Sequence, residues 1–414
     1  MTIRVASAYL QGTDSGKRQP ISLDYSEFFN LVFFSVSMVI LLGASLIDYS
    51  DRTTSYVVSV LGFLVLLYNA LHYRVITRAI DYIWPCLFLS LIGLASFALS
   101  KITGSDNSYG AAIIPMFMLL FSCMPHPPRR DSYRIGHHFH MLLIGMVVMM
   151  LFAHILGLEY SHQIIVVAFY ALSLSVAMEK KTQIIALVLI IGIYTLHRPS
   201  STIVVCLTMT LAVAAISLIY KPDIYRIAKI MVLASSVYSI LIMLNPHLLQ
   251  LPLDLEQDLK QGPLAAHSNS EFRLAVIESA SDSYHDSSLI FGTYFTGSIN
   301  AQNMESFLPW WQDIIAPIHS DFSIIVLQGG IFGASLLAFC FIKLISLFQV
   351  VAERADPTDQ YTAAYCHGAT LAIMNFLVFA NFNPMMASLS ATICLYALVY
   401  GASFMAGRPG RAPS

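Results

Sequence analysis

The chain has 414 residues, of which 57% are apolar and 11% charged. Soluble domains carry roughly 25% charged residues, so this composition excludes a soluble globular enzyme, a disordered chain and a nucleic-acid binder with clustered Lys and Arg. The net charge of −2 says little as a total; the placement of the charges says more.

Long uncharged apolar runs need a lipid solvent. The expected fold class is therefore all-α, a polytopic membrane helical bundle of about 12 transmembrane helices. Residues 1–27 are polar and carry Arg4, Lys17 and Arg18. They are expected to form a cytoplasmic N-terminal segment ahead of an uncleaved first helix, because no small-residue cleavage site follows. The first nine predicted spans are 28–47, 55–72, 82–100, 109–124, 138–157, 162–178, 182–197, 201–220 and 227–244. A large, partly helical loop occupies 245–320. Spans 321–348, 362–380 and 384–406 follow, then a cytoplasmic tail at 407–414. Only Met178-Glu179-Lys180-Lys181 separates the sixth span from the seventh.

Orientation follows from Lys and Arg, which are retained on the cytoplasmic side. With the N-terminus inside, the inner segments hold 17 of the 22 basic residues, and every inner loop is basic. Both termini are then cytoplasmic. The outer segments hold only Arg52, Lys101, Arg198, Lys260 and Arg273. The six cysteines lie in or beside apolar runs without a C-x-x-C pair, and read as small core residues.

The loop at 245–320 falls on the outer side and sets nine carboxylates against Lys260 and Arg273. A long loop on a compact scaffold is usually functional. Within it, Ser268-Asn269-Ser270 ahead of Glu271-Phe272-Arg273 reads as a helix start, with a polar cap and an acidic first turn. Phe272, Val276 and Ala280 share one face, and Arg273 and Ile277 the next. A turn around Gly292 follows. Trp310-Trp311 suits either interfacial anchoring or sugar stacking.

Among the outer bases, Arg52 pairs with Asp51, Lys101 closes a span and Lys260 lies beside Asp258. Arg198 sits in the tight turn Leu196-His197-Arg198-Pro199-Ser200-Ser201, with no carboxylate nearby in sequence. Pro199 and the serines would start the next span. An Arg beside a helix N-terminus is suited to phosphate or to lipid headgroups. Arg273 is either an ion-pair partner within the acidic loop or a second anion ligand. His319, in Ile318-His319-Ser320-Asp321, opens a span at its outer N-terminus. The helix end there favours neutral imidazole, which can accept a proton from a hydroxyl. His137-His138-Phe139-His140 lacks the spacing of a metal site and is expected at a membrane interface. The G-x-x-x-G spacing from Gly329 to Gly333 is expected to let helices approach closely.

From Arg273 to Gly333 the chain resembles the O-antigen ligase/polymerase superfamily of bacterial envelope glycosyltransferases. The pattern is Arg273 in the large outer loop and the turn Ile290-Phe291-Gly292. His319-Ser320-Asp321-Phe322 and Leu327-Gln328-Gly329-Gly330-Ile331-Phe332-Gly333 complete it. The family also places an Arg in the short outer turn before span 8, matching Arg198. The sequence departs from the family at His197, where Ser is frequent, at Ser320, where Asn is frequent, and at Ile277-Glu278, where a Trp commonly lies.

The resemblance implies transfer of a glycan from a polyprenyl (undecaprenyl) pyrophosphate donor to an acceptor sugar, at the periplasmic face of the bacterial inner membrane. The acceptor is another lipid-linked repeat in a polysaccharide polymerase and the lipid A core in a ligase. It implies no metal, no nucleotide-sugar cofactor and no nucleic acid; its partners are the glycan donor and acceptor, the lipid bilayer and other polysaccharide-assembly proteins. Arg198 and Arg273 would bind the donor pyrophosphate, and His319 would orient or deprotonate the acceptor. All three are the expected catalytic residues. A transporter is the rival of a different class, and a sensor or scaffold another. Against a transporter, no long central inner loop divides the chain and no acid sits deep in a span.

Overall fold

In a computed structural model of the protein, the structure describes residues 3–4, 22–23, 140–141, 143–145, 147–148, 165–197, 201–219, 223–249, 266–293, 320–354 and 360–382. Two short strands, β1 (Ile3–Arg4) and β2 (Ser22–Leu23), pair antiparallel with Ile3 opposite Leu23. The rest of the regular structure described is helical. It comprises α1 (Ile165–Ala177), α2 (Lys181–His197), α3 (Ser201–Ile219), α4 (Ile224–Leu244), a 3-10 turn (Pro246–Leu249), α5 (Ala266–His285), α6 (Asp321–Arg354) and α7 (Gln360–Phe382). Three of these, α4, α6 and α7, are long and apolar enough to cross a membrane; α1 to α3 are shorter apolar helices. The predicted spans before residue 138 and after 382 lie outside the described residues.

Local chemistry explains where the helices begin and stop. The narrow link between the sixth and seventh predicted spans is a turn. Glu179 adopts a left-handed conformation (φ 55°), and the Lys180 N–H donates to Ser175 O at 2.9 Å. A residue of that handedness just past a helix ends it and satisfies its last carbonyls. α4 starts three residues earlier than expected, because Asp223 caps it by accepting the Arg226 N–H at 3.1 Å. α6 continues six residues past the predicted end, to Arg354.

α7 is the centre of the described core, against α1, α3, α4 and α6. Gly368 makes the α1 contact close: a Cβ there would lie 2.9 Å from Leu174 Cα. Small residues allow this approach in membranes, where apolar burial between helices gains little over lipid. Seven residues on, the buried Asn375 amide donates to Ser173 Oγ of α1 (3.2 Å) and Thr210 Oγ1 of α3 (2.9 Å). Phe169 meets Phe379 edge-on, with ring centroids 5.6 Å apart.

An interhelical hydrogen bond of this kind contributes about 0.6 kcal/mol on average in a membrane protein. Truncation also leaves polar partners and a void behind. Asn375→Ala is therefore expected to cost about 1–3 kcal/mol, read as a lower melting temperature in detergent. An unchanged melting temperature would remove the network from the account of stability.

Three further features concern residues singled out in the sequence. His140, expected at a membrane interface, is buried within the protein, its Nε2 2.9 Å from Ser175 Oγ near the end of α1. A neighbouring hydroxyl offers a buried imidazole a partner that lipid cannot. Cys206, Cys340 and Cys366 are buried free thiols, whereas Cys86, Cys123 and Cys394 fall outside the described residues. The tenth predicted span is not one continuous helix, as its glycine pair makes clear below.

Candidate functional site

The helix directions gather one end of the bundle. Tyr225 stacks near His367 and Asn381 donates to Ser235, so α4 and α7 run parallel. Phe169 faces Phe379 and Lys229 Nζ donates to Gln349, so α1 and α6 run the other way. The ends of α4 and α7 therefore lie with the start of α6. α5 joins them there, with Ser281 Oγ donating to Met243 O at 2.8 Å in the last turn of α4. α2 turns back along α1, so its last residue, His197, points toward this same end.

α5 begins at Ala266, so Ser268-Asn269-Ser270 lies inside the helix rather than capping it. Val276, Ile277, Ala280 and Tyr284 form its buried side. Ser279 and Ser281, two residues apart and so on opposite flanks of that side, are buried as well.

After α5 the chain makes a tight turn, with Gly292 at φ 58°. Gly292 N–H donates to Ser288 O at 2.6 Å, and Phe291 N–H to Ser288 Oγ at 3.2 Å. This turn docks into a break in α6. At Gly330 the backbone leaves helical geometry (φ 59°, ψ −155°), dividing α6 into a short first segment and a long second one. A helix break exposes N–H groups on one side and carbonyls on the other. The turn satisfies both. Ile331 N–H donates to Leu289 O (3.2 Å), Phe332 N–H to Ile290 O (3.0 Å), and Thr293 N–H to Leu327 O (2.9 Å).

Backbone meets backbone here because both contact residues are glycine. A Cβ at Gly292 would lie 2.3 Å from Leu327 O, and one at Gly330 would lie 2.4 Å from Ile290 O. The close approach expected from the Gly329–Gly333 spacing thus runs from Gly330 to a loop turn. Tyr284 ties α5 into the same joint by donating its hydroxyl to Leu289 O at 2.7 Å.

At the start of α6, Ser320 Oγ accepts the Ser323 N–H at 3.2 Å, an N-cap. Asn381 donates to Ser235 Oγ (2.7 Å) and Leu377 O (2.8 Å). The helices that meet here also carry buried polar atoms without a hydrogen-bond partner. They are Tyr238 Oη and Ser239 Oγ on α4, Ser279 Oγ on α5, Ser323 Oγ and Gln328 Oε1 on α6, and Asn381 Oδ1 on α7. Leaving such a group unpaired costs about 1–3 kcal/mol, and a folded protein tolerates only a few. Their chemistry, hydroxyls and amides beside the buried carboxylate of Asp321 at the start of α6, is that of hydrogen bonding to a polyhydroxy ligand.

Of the expected site residues, Arg198, His319, Trp310 and Trp311 lie outside the described residues. Arg273 belongs to α5, with its side chain outside them. The structure brings α5, which carries Arg273, against α4 and α6. It places Ser320, which follows His319 in the chain, as the cap of α6. Sequence reasoning did not single out Ser239, Ser279, Ser323, Gln328 or Asn381. The available signal was a polar residue within or beside an apolar run, which in a membrane is seldom neutral. No model of a known protein family matches the chain, and no curated protein matches it.

Proposed function

We propose that the protein is a membrane glycosyltransferase of the polysaccharide polymerase type, working at the periplasmic face of the bacterial inner membrane. It would move a glycan from a polyprenyl pyrophosphate donor to the sugar of another lipid-linked unit. The observation that carries this reading is the Gly292–Gly330 joint. Two halves of the family-like pattern, about 38 residues apart, form one structural unit. That unit links the helix bearing Arg273 to the helix that His319 precedes. The Ser320 cap supports the same reading, since Ser and Asn serve equally as N-caps. The departure from the family at that position then leaves its mechanical role intact.

Donor cleavage leaves a pyrophosphate, so the protein must stabilise negative charge that develops as the glycosidic bond breaks. Arg198 and Arg273 are suited to it, because guanidinium stays charged and forks onto phosphate oxygens. His319 would hold the acceptor hydroxyl and take its proton. The uncharged buried hydroxyls and amides at this end would meet sugar hydroxyls.

Glycan analysis of a strain lacking the gene tests the assignment. Loss of long polymer with single repeats still attached to lipid A is the expected result. Polymer accumulating on the polyprenyl carrier would make the protein a ligase instead. An unchanged glycan profile with altered uptake or efflux would make it a transporter.

A further inference from the structure

The turn between α5 and α6 carries three successive large apolar residues, Leu289, Ile290 and Phe291, and all three are exposed. Ile331 and Phe332, on the far side of the joint, are exposed beside them, and the Phe291 and Phe332 rings sit 5.8 Å apart. This makes one continuous apolar surface. Ile290 is 56% exposed, matching the 55% of Val237 on the outward face of the membrane-length helix α4. The residues leading into the turn are polar and exposed, namely His285 and Asp286.

Depth decides what covers this surface. After the break at Gly330, the charge-free segment of α6 runs unbroken from Ile331 to Ile342, ahead of Lys343, about 18 Å of helix at 1.5 Å per residue. That is less than a hydrocarbon core of about 30 Å. Ile331 and Phe332 therefore lie inside the core rather than beyond it, and the turn is hydrogen-bonded directly to them. Non-helical backbone at such depth must have its polar groups satisfied within the protein. The turn meets that demand at the groups named above. Leu289 O accepts from Ile331 N–H and Tyr284 Oη, Ile290 O accepts from Phe332 N–H, and Gly292 and Thr293 N–H donate to Ser288 O and Leu327 O.

We infer that the Leu289–Phe291 turn is a re-entrant element. It reaches from the polar loop into the bilayer and presents its side chains to lipid acyl chains. This adds a membrane-inserted turn to the loop at 245–320, expected from sequence on the outer side. It rests on α4 and α6 being membrane helices and is independent of the reaction proposed.

Ile290→Trp and Phe291→Trp variants, made separately in the full chain, test it by fluorescence. Each is reconstituted into phosphatidylcholine vesicles with either plain or brominated acyl chains. The parent signal from the native tryptophans is subtracted. Val237→Trp on α4 serves as the lipid-face reference. The expected result is that brominated chains quench the added emission by at least half, as for Val237→Trp, while aqueous iodide leaves it nearly unchanged. Quenching by iodide but not by brominated chains would place the turn in water. Quenching by neither would place it against protein, a second copy included; either result overturns the inference. A Val237→Trp signal insensitive to brominated chains would overturn the membrane placement of α4, and the inference with it.

Discussion

Replacing Arg198, Arg273 or His319 by alanine, one at a time, is expected to abolish glycan product while leaving protein level unchanged. The size of the effect follows from the chemistry proposed. Removing one preorganised contact to developing charge typically costs on the order of 100–1000-fold in rate. Arg273→Lys should recover little, because an ammonium keeps the charge but loses the fork that grips two phosphate oxygens. The measurement is product length and amount on a gel, beside an immunoblot of the membrane fraction. Wild-type product from all three alanine variants would remove the glycosyl-transfer assignment.

The second large effect is expected at the glycine joint. Gly330→Ala places a methyl group where Ile290 backbone already stands, and Gly292→Ala does the same against Leu327 and Gly330. Each position is also left-handed (φ 59° and 58°), which costs an L-residue roughly 1–2 kcal/mol. Overpacking adds about 1–3 kcal/mol, and here the obstacle is backbone, which cannot swing aside as a side chain can. The sum is a large part of a typical stability of about 5–15 kcal/mol. Both variants should lose most of their monodisperse fraction on size exclusion in detergent. Gly192→Ala is the control, since a Cβ at Gly192 in α2 meets nothing within 4 Å. Normal folding of Gly330→Ala would mean that the turn does not enter the helix break.

How far the sequence could be read depended on which physical signal each feature leaves. Apolar run length and the outlying charges located α1 to α4, α6 and α7 to within a few residues, because desolvation acts on every residue of a span. Caps were legible less evenly. Ser268-Asn269-Ser270 looked like a helix start, yet the helix begins at Ala266; the same serines are tolerated one turn inside a helix. The break at Gly330 was hidden for a different reason. Leu327 to Gly333 is uniformly apolar and glycine-rich apart from Gln328, and helical close packing explains such a pattern equally well. Only the partner strand of chain, near Gly292, decides between the two, and that contact is non-local. The unpaired Ser239, Ser279 and Gln328 were invisible as a group, since nothing in their spacing says that α4, α5 and α6 meet.

The joint between Gly292 and Gly330 is made of main-chain atoms. Its hydrogen bonds run between N–H and C=O groups that every non-proline residue carries, and its close fit asks only that two positions have no side chain. Substitution elsewhere in the turn, at Leu289, Ile290 or Phe291, therefore leaves the joint's chemistry intact. Such an architecture can drift far in sequence while the same two helices stay coupled. In a divergent relative, the trace of the joint to look for is two glycines far apart in the chain, one after a loop helix and one inside a span, rather than a block of identical residues.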